Sequence, residues 1–132
     1  KLTEYQSLIR KIDPNIPIFQ KGDVLDFIEN CDVIIAFSIA TSATTLGLIL
    51  KKPIVLYDFY NIESGLFLER DLVTKCSRVS ELTSSITTAL LENIPMSKKT
   101  NDFLEEFFYK TDGKASERVC NELMNLLKGK FQ

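Results

Sequence analysis

Apolar residues recur along the 132-residue chain in two rhythms, short unbroken runs and stripes at helical spacing, and their alternation predicts an α/β fold. Leu2, Tyr5, Leu8, Ile9 and Ile12 predict a first helix, which Asp13-Pro14 ends because proline drives the residue before it out of helical geometry. Pro17, Ile18 and Phe19 suggest a short strand. Gly22-Asp23 then opens a helix, with Asp23 as cap and Val24, Phe27 and Ile28 as its buried stripe, ending near Asn30. Val33, Ile34, Ile35, Ala36 and Phe37 form a run with no polar alternation, which predicts a strand covered on both faces. A helix from Ser42 to about Leu50 follows, and Pro53 introduces a strand from Ile54 to Tyr57. Successive strand–helix–strand units predict a right-handed parallel sheet.

Beyond that strand the rhythm loosens. Asn61, Glu63, Ser64 and Gly65 mark a loop, Leu66 to Glu69 a short helix, and Leu72 to Lys75 a final short strand. Val79, Leu82, Ile86, Ala89 and Leu90 restore helical spacing behind Ser77 or Ser80 as cap, with Pro95 closing the segment. Ser97 caps a helix whose Phe103, Leu104 and Phe107 face inward. Asp112-Gly113 breaks it, and a last helix carries Val119, Leu123, Leu126 and Leu127. The fold expected is therefore α/β: a three-layer, Rossmann-like parallel sheet of about four or five strands, with helices on both faces and a helical carboxyl-terminal region. No linker, repeat or low-complexity segment interrupts the order, so residues 1–132 read as a single domain.

The candidate chemistry lies between Asp32 and Asp58. Ser38, Thr41, Ser42, Thr44 and Thr45 arrive together where the chain leaves the carboxyl end of a buried strand and enters a helix. Ligands of open α/β sheets bind at that edge. A helix start presents unpaired N–H groups and partial positive charge, so a phosphate is held there by amides and hydroxyls without a lysine. Ser38, Thr41, Ser42 and Thr44 are the candidate phosphate ligands, with Thr45 turned toward the core. The plainer alternative is helix capping, for which one hydroxyl suffices.

Three further positions stand beside this cluster. Asp58, after the second strand, either accepts ligand hydroxyls or orders the following loop through its own backbone. Glu63, Ser64 and Gly65 share that sheet edge, and Ser64 alternatively caps the short helix after it. Lys114 sits at a helix start, where the dipole disfavours a cation unless an anion is near. Its neighbours Asp112, Gly113 and Ser116 have a structural account as a turn and cap. Phe103, Phe107, Phe108 and Tyr109 read as core.

Composition narrows the chemistry. A net charge of −2 and a pI near 5.2 give no general electrostatic basis for binding nucleic acid or an anionic membrane. The chain has no histidine, which removes imidazole triads and the commonest zinc ligand and leaves acid–base work to carboxylates. Cys31, Cys76 and Cys120 are widely separated, odd in number and lack metal or redox spacing, so the expectation is reduced, half-buried thiols in a cytoplasmic protein with no metal and no cofactor. No apolar run is long enough to span a bilayer, and a first residue other than methionine suggests a piece of a longer chain.

Three segments in order carry a family resemblance: Cys31-Asp32-Val33-Ile34-Ile35-Ala36-Phe37-Ser38, residues 41–55 from Thr41-Ser42-Ala43-Thr44-Thr45 through Lys51-Lys52-Pro53-Ile54-Val55, and Asp112-Gly113-Lys114-Ala115-Ser116. Over about residues 16–127 the chain resembles the carboxyl-terminal half of B-fold glycosyltransferases, particularly surface-polysaccharide and CDP-glycerol glycerophosphotransferase-like proteins. The resemblance implies a domain that holds a nucleotide-activated sugar or polyol phosphate donor. It also implies a partner domain, amino-terminal in the same chain, that holds the acceptor and supplies the base, so the isolated domain would be inactive. The rest of such a protein would place it at the inner membrane face. Non-hydrolysing UDP-N-acetylglucosamine 2-epimerases share the fold, so a nucleotide-sugar epimerase half-domain is one alternative and a non-catalytic interaction or regulatory module another. Two departures bear on this. Leu46 and Gly47 stand where many members have an acid and a small residue, and Lys51 replaces a frequent glycine. Leucine accepts no ribose or sugar hydroxyl, which leaves Glu63 as the substitute and Asp58 beside it as candidate sugar contacts.

Overall fold

A computed structural model describes residues 2–37, 41–92 and 94–130. Three parallel strands, β1 (Ile34–Ala36), β2 (Ile54–Tyr57) and β3 (Thr74–Cys76), form a sheet in the order β1-β2-β3. The described residues also form seven α-helices: α1 (Leu2–Ile12), α2 (Val24–Glu29), α3 (Ser42–Ile49), α4 (Leu66–Glu69), α5 (Val79–Leu91), α6 (Lys98–Phe108) and α7 (Ala115–Lys130). Among the described residues no helix is long and apolar enough to cross a membrane.

Strand alternation divides the core, because successive side chains leave a strand on opposite sides. Ile54 and Leu56 pack with Leu48 of α3, with Leu72 and Val73, and with Phe103 and Leu104 of α6. Val55 packs the other way, with Cys76 and with Ala89 of α5. The register pairs Ile34 with Ile54, Ile35 with Val55 and Tyr57 with Cys76, so the carboxyl ends of β1 and β2 open side by side.

Gly47 lets α3 approach this sheet. A Cβ built there would lie 2.5 Å from Ile34 Cδ1 and 3.1 Å from Ile54 Cδ1, far inside contact distance. The small residue is therefore a packing requirement. At the far end, α3 closes in a Schellman motif: Lys52 N–H donates to Gly47 O at 2.8 Å and Lys51 N–H to Leu48 O at 3.1 Å. Lys51 accordingly adopts φ 58°, the position where glycine is usual. α4 ends in the same way, with Asp71 at φ 53° and Leu72 N–H donating to Phe67 O at 2.8 Å. The Lys52 ammonium donates to the carbonyls of Glu29 and Cys31 at 2.8 and 3.0 Å, tying the end of α2 to the approach to β1.

Several expectations are corrected. Pro17, Ile18 and Phe19 form no strand, and the sheet has three strands among the described residues. Proline removes a ladder donor there, and the Phe19 ring is satisfied locally against Phe27 at 4.6 Å. β1 is not covered on both faces: Ile35 is 39% and Phe37 75% exposed, because α5 packs over β2 and β3. The stripes of α1 and α7 are largely exposed; the helices packed on the sheet are α3 and α5, and α6 packs against α3. Phe107 is half-exposed, stacked on Phe103 under the Arg70 guanidinium. Neither Ser77 nor Ser80 caps α5 with its side chain. Arg78 is the cap residue, and Ser77 N–H donates to Glu81 Oε2 at 3.4 Å. The thiols differ too: Cys31 is half-buried, Cys76 buried and Cys120 exposed, and all three are free.

Candidate functional site

The start of α3 follows β1 at the carboxyl edge of the sheet. Thr41 is the N-cap, in extended geometry, and its Oγ1 accepts the Thr44 N–H at 3.3 Å. The two hydroxyls, Thr41 Oγ1 and Thr44 Oγ1, also lie 3.1 Å apart and share a hydrogen bond. Thr44 is only 1% exposed, so its hydroxyl belongs to the cap and the helix–sheet interface and is not offered to a ligand. Thr41 and Ser42 are exposed, and Thr45 is half-buried. The sequence pattern could not separate Thr44 from its neighbours, since a cap and a phosphate ligand use the same residue types. Ser38 lies outside the described residues.

Asp58 extends the β2 ladder, donating its N–H to Cys76 O at 2.8 Å, and its side chain is 3% exposed. Oδ1 accepts Ile62 N–H at 3.1 Å. Oδ2 accepts Glu63 N–H at 2.9 Å and lies 2.9 Å from Lys75 Nζ. Burial pushes the carboxyl pKa up, but the Lys75 hydrogen bond, the two amides and the Lys75 charge outweigh it and hold the group below its ordinary value. Both oxygens are engaged inside the loop. Of the two roles open to Asp58, the geometry is that of a loop organiser. Lys75 also donates to Glu63 O at 3.3 Å, so Glu63 is positioned through its main chain at both ends. Ser64 does not cap α4: Gly65 holds the cap position without a side-chain bond.

The same edge carries aromatic rings that the sequence pattern did not single out. Phe37 meets Tyr57 edge-on at 5.9 Å, Tyr57 tilts against Phe59 at 6.5 Å, and Phe59 meets Tyr60 edge-on at 5.1 Å. Phe37, Phe59 and Tyr60 are 75%, 65% and 76% exposed. The available signal was Tyr57-Asp58-Phe59-Tyr60, an aromatic cluster directly after a buried strand.

Lys114 stands apart from this edge. Asp112, Tyr109 and Lys51 line a cleft of about 340 Å³ with Asn101, Leu104 and Glu105, beyond the carboxyl end of α3, whereas Thr41 caps its amino end. Asp112 Oδ1 accepts the Lys114 N–H at 3.0 Å, and both carboxylate oxygens accept Arg118 Nη1 at 2.8 and 3.0 Å. Arg118 first, then the Lys114 amide, lower the Asp112 pKa. Gly113, at φ 72°, makes the left-handed turn that the sequence predicts. These bonds account for the Asp-Gly-Lys-Ala-Ser segment as a turn and helix start. Among the described residues no three His, Cys, Asp or Glu side chains are grouped to hold a metal ion. Comparison of the chain with protein-family models, curated proteins and solved structures found no match.

Proposed function

We propose that this chain is the donor-binding half of a glycosyltransferase-like protein of surface-polysaccharide biosynthesis, a Rossmann-like domain with helical layers on both sheet faces and a helical carboxyl-terminal region. It would hold a nucleotide-activated sugar or polyol phosphate and meet an acceptor-binding domain, amino-terminal in the same chain, in the cytoplasm or at the inner membrane face. The observation that carries the reading is the exit of β1 into α3: exposed Thr41 and Ser42 at the amino end of a helix, on the carboxyl edge of a parallel sheet. A diphosphate seated there gains the α3 amides and the Ser42 hydroxyl, and the same groups stabilise charge that develops on the leaving nucleotide. Lys114 contributes only if the rest of the protein draws its turn toward that edge.

Titration calorimetry with UDP, CDP and GDP tests the reading. Binding that is weakened by Ser42→Ala and retained in Lys114→Ala supports it. Silence with all three nucleotides favours the second reading, a non-catalytic module. That reading draws on Leu46 in place of an acid and on the mutual satisfaction of the Thr41 and Thr44 hydroxyls.

A further inference from the structure

The rings of Phe37, Tyr57, Phe59 and Tyr60 form a chain across the carboxyl ends of β1 and β2, joined mainly by edge contacts. Edge-to-face packing satisfies the rim of one ring against the face of another and leaves other faces open. The chain is held in place from beneath. Asp58 lies between Tyr57 and Phe59 in sequence, is anchored by Lys75, and accepts the amides of Ile62 and Glu63, so the loop bearing Phe59 and Tyr60 is tied back at both ends.

The size and character of the patch select its occupant. An aromatic side chain covers about 150–250 Å², so three rings exposed by 75%, 65% and 76% present about 400 Å² of ring surface. That is about half of what one side of a standard protein–protein interface covers, and it suits a small ring ligand. Among the described residues the cation beside it, Lys75, is committed to Asp58 and to Glu63 O, so the rings offer stacking surface and not a free positive charge. Recognition there runs through π faces and the Tyr57 and Tyr60 hydroxyls, not through charge. Stacking of this kind is tolerant of base identity, since every base has a π face.

We infer that the Phe37–Tyr57–Phe59–Tyr60 chain is a stacking site for the nucleobase of the bound ligand. The inference rests on the donor-binding reading for its choice of ligand class, and it assigns base and phosphate to different residues.

Saturation-transfer NMR of the chain with uridine, cytidine and guanosine, which carry no phosphate, tests the site directly. Base protons are expected to be saturated more strongly than ribose protons for all three. Phe59→Ala combined with Tyr60→Ala should weaken UDP about tenfold with the far-ultraviolet circular dichroism unchanged, and Tyr60→Ala alone should weaken it less. Absence of base saturation, saturation unchanged in the double variant, or stronger saturation of methyl α-glucopyranoside than of the nucleosides overturns the proposal. The two readings fail separately. Nucleosides that bind as well as UDP, with no effect of Ser42→Ala, uphold the stacking site and sink the phosphate site. UDP that binds through Ser42 while nucleosides do not bind does the reverse.

Discussion

The Lys75 ammonium sits 2.9 Å from the Asp58 carboxylate, joining β3 to the loop that leaves β2. Lys75 is itself partly exposed, but Asp58 is buried, and the carboxylate is the hub of the loop. Asp58→Asn removes the charge that Lys75 and two amides favour, and it lowers the melting temperature. The pH response follows from the sign of the shift. The folded-state pKa lies below the ordinary 3.8, so the stabilisation is full above that value and disappears as pH falls through the folded pKa. Melting curves from pH 7 down to pH 3 should show a steeper acid loss in the native chain than in Asp58→Asn. Parallel curves would refute the assignment.

Gly47 tests the contact between α3 and the sheet. Alanine raises helix propensity by about 1 kcal/mol, but its methyl must displace Ile34 Cδ1, and overpacking costs about 1–3 kcal/mol. Gly47→Ala is therefore expected to destabilise by about 1 kcal/mol. Ile34→Val removes the clashing Cδ1, so the double variant should recover part of that loss in urea unfolding. A double variant whose two effects simply add would contradict the contact.

Lys51 offers the opposite sign. Its φ of 58° is unfavourable for a side chain with a Cβ, and glycine at this position of a Schellman motif is expected to stabilise by about 1 kcal/mol. Lys51→Ala separates the causes: it keeps the strained backbone and removes only the exposed bond to Asn101, so it should change little. Equal effects of the glycine and alanine variants would show that the backbone is not the source.

At the cap of α3, Thr41→Ala is expected to cost about 1 kcal/mol, because the Thr44 N–H keeps only the Thr41 carbonyl as acceptor and the buried Thr44 hydroxyl loses its partner. Thr41→Ser keeps the oxygen and should lie close to the native chain in chemical denaturation. Ser42→Ala should be near neutral for stability, which makes it the cleaner probe of ligand binding.

Local chemistry made much of this structure legible in the sequence. The Asp23 and Ser97 caps form as their residue types predict, accepting the amides of Leu25 and Thr100 at 2.9 and 3.2 Å. The strands at Ile34 and Ile54 and the turn at Gly113 follow from apolar runs and from glycine. What depends on distant neighbours was not legible. Nothing in the loop after Tyr57 announces that its acid pairs with a lysine on another strand. A stripe at helical spacing does not say whether a sheet wide enough to cover it lies beneath. For the same reason, Thr44 looks like a ligand until its hydroxyl is seen against Thr41, and Lys114 looks close to Thr41 until α3 is seen to separate their surroundings.

β1 has one hydrogen-bonded neighbour, β2, among the described residues, which makes it an edge strand of the sheet beside exposed Ile35 and Phe37. That border is sticky. An edge strand of this kind is a template on which a further strand can pair, and this end of the sheet, unlike the β2 centre, carries that exposure.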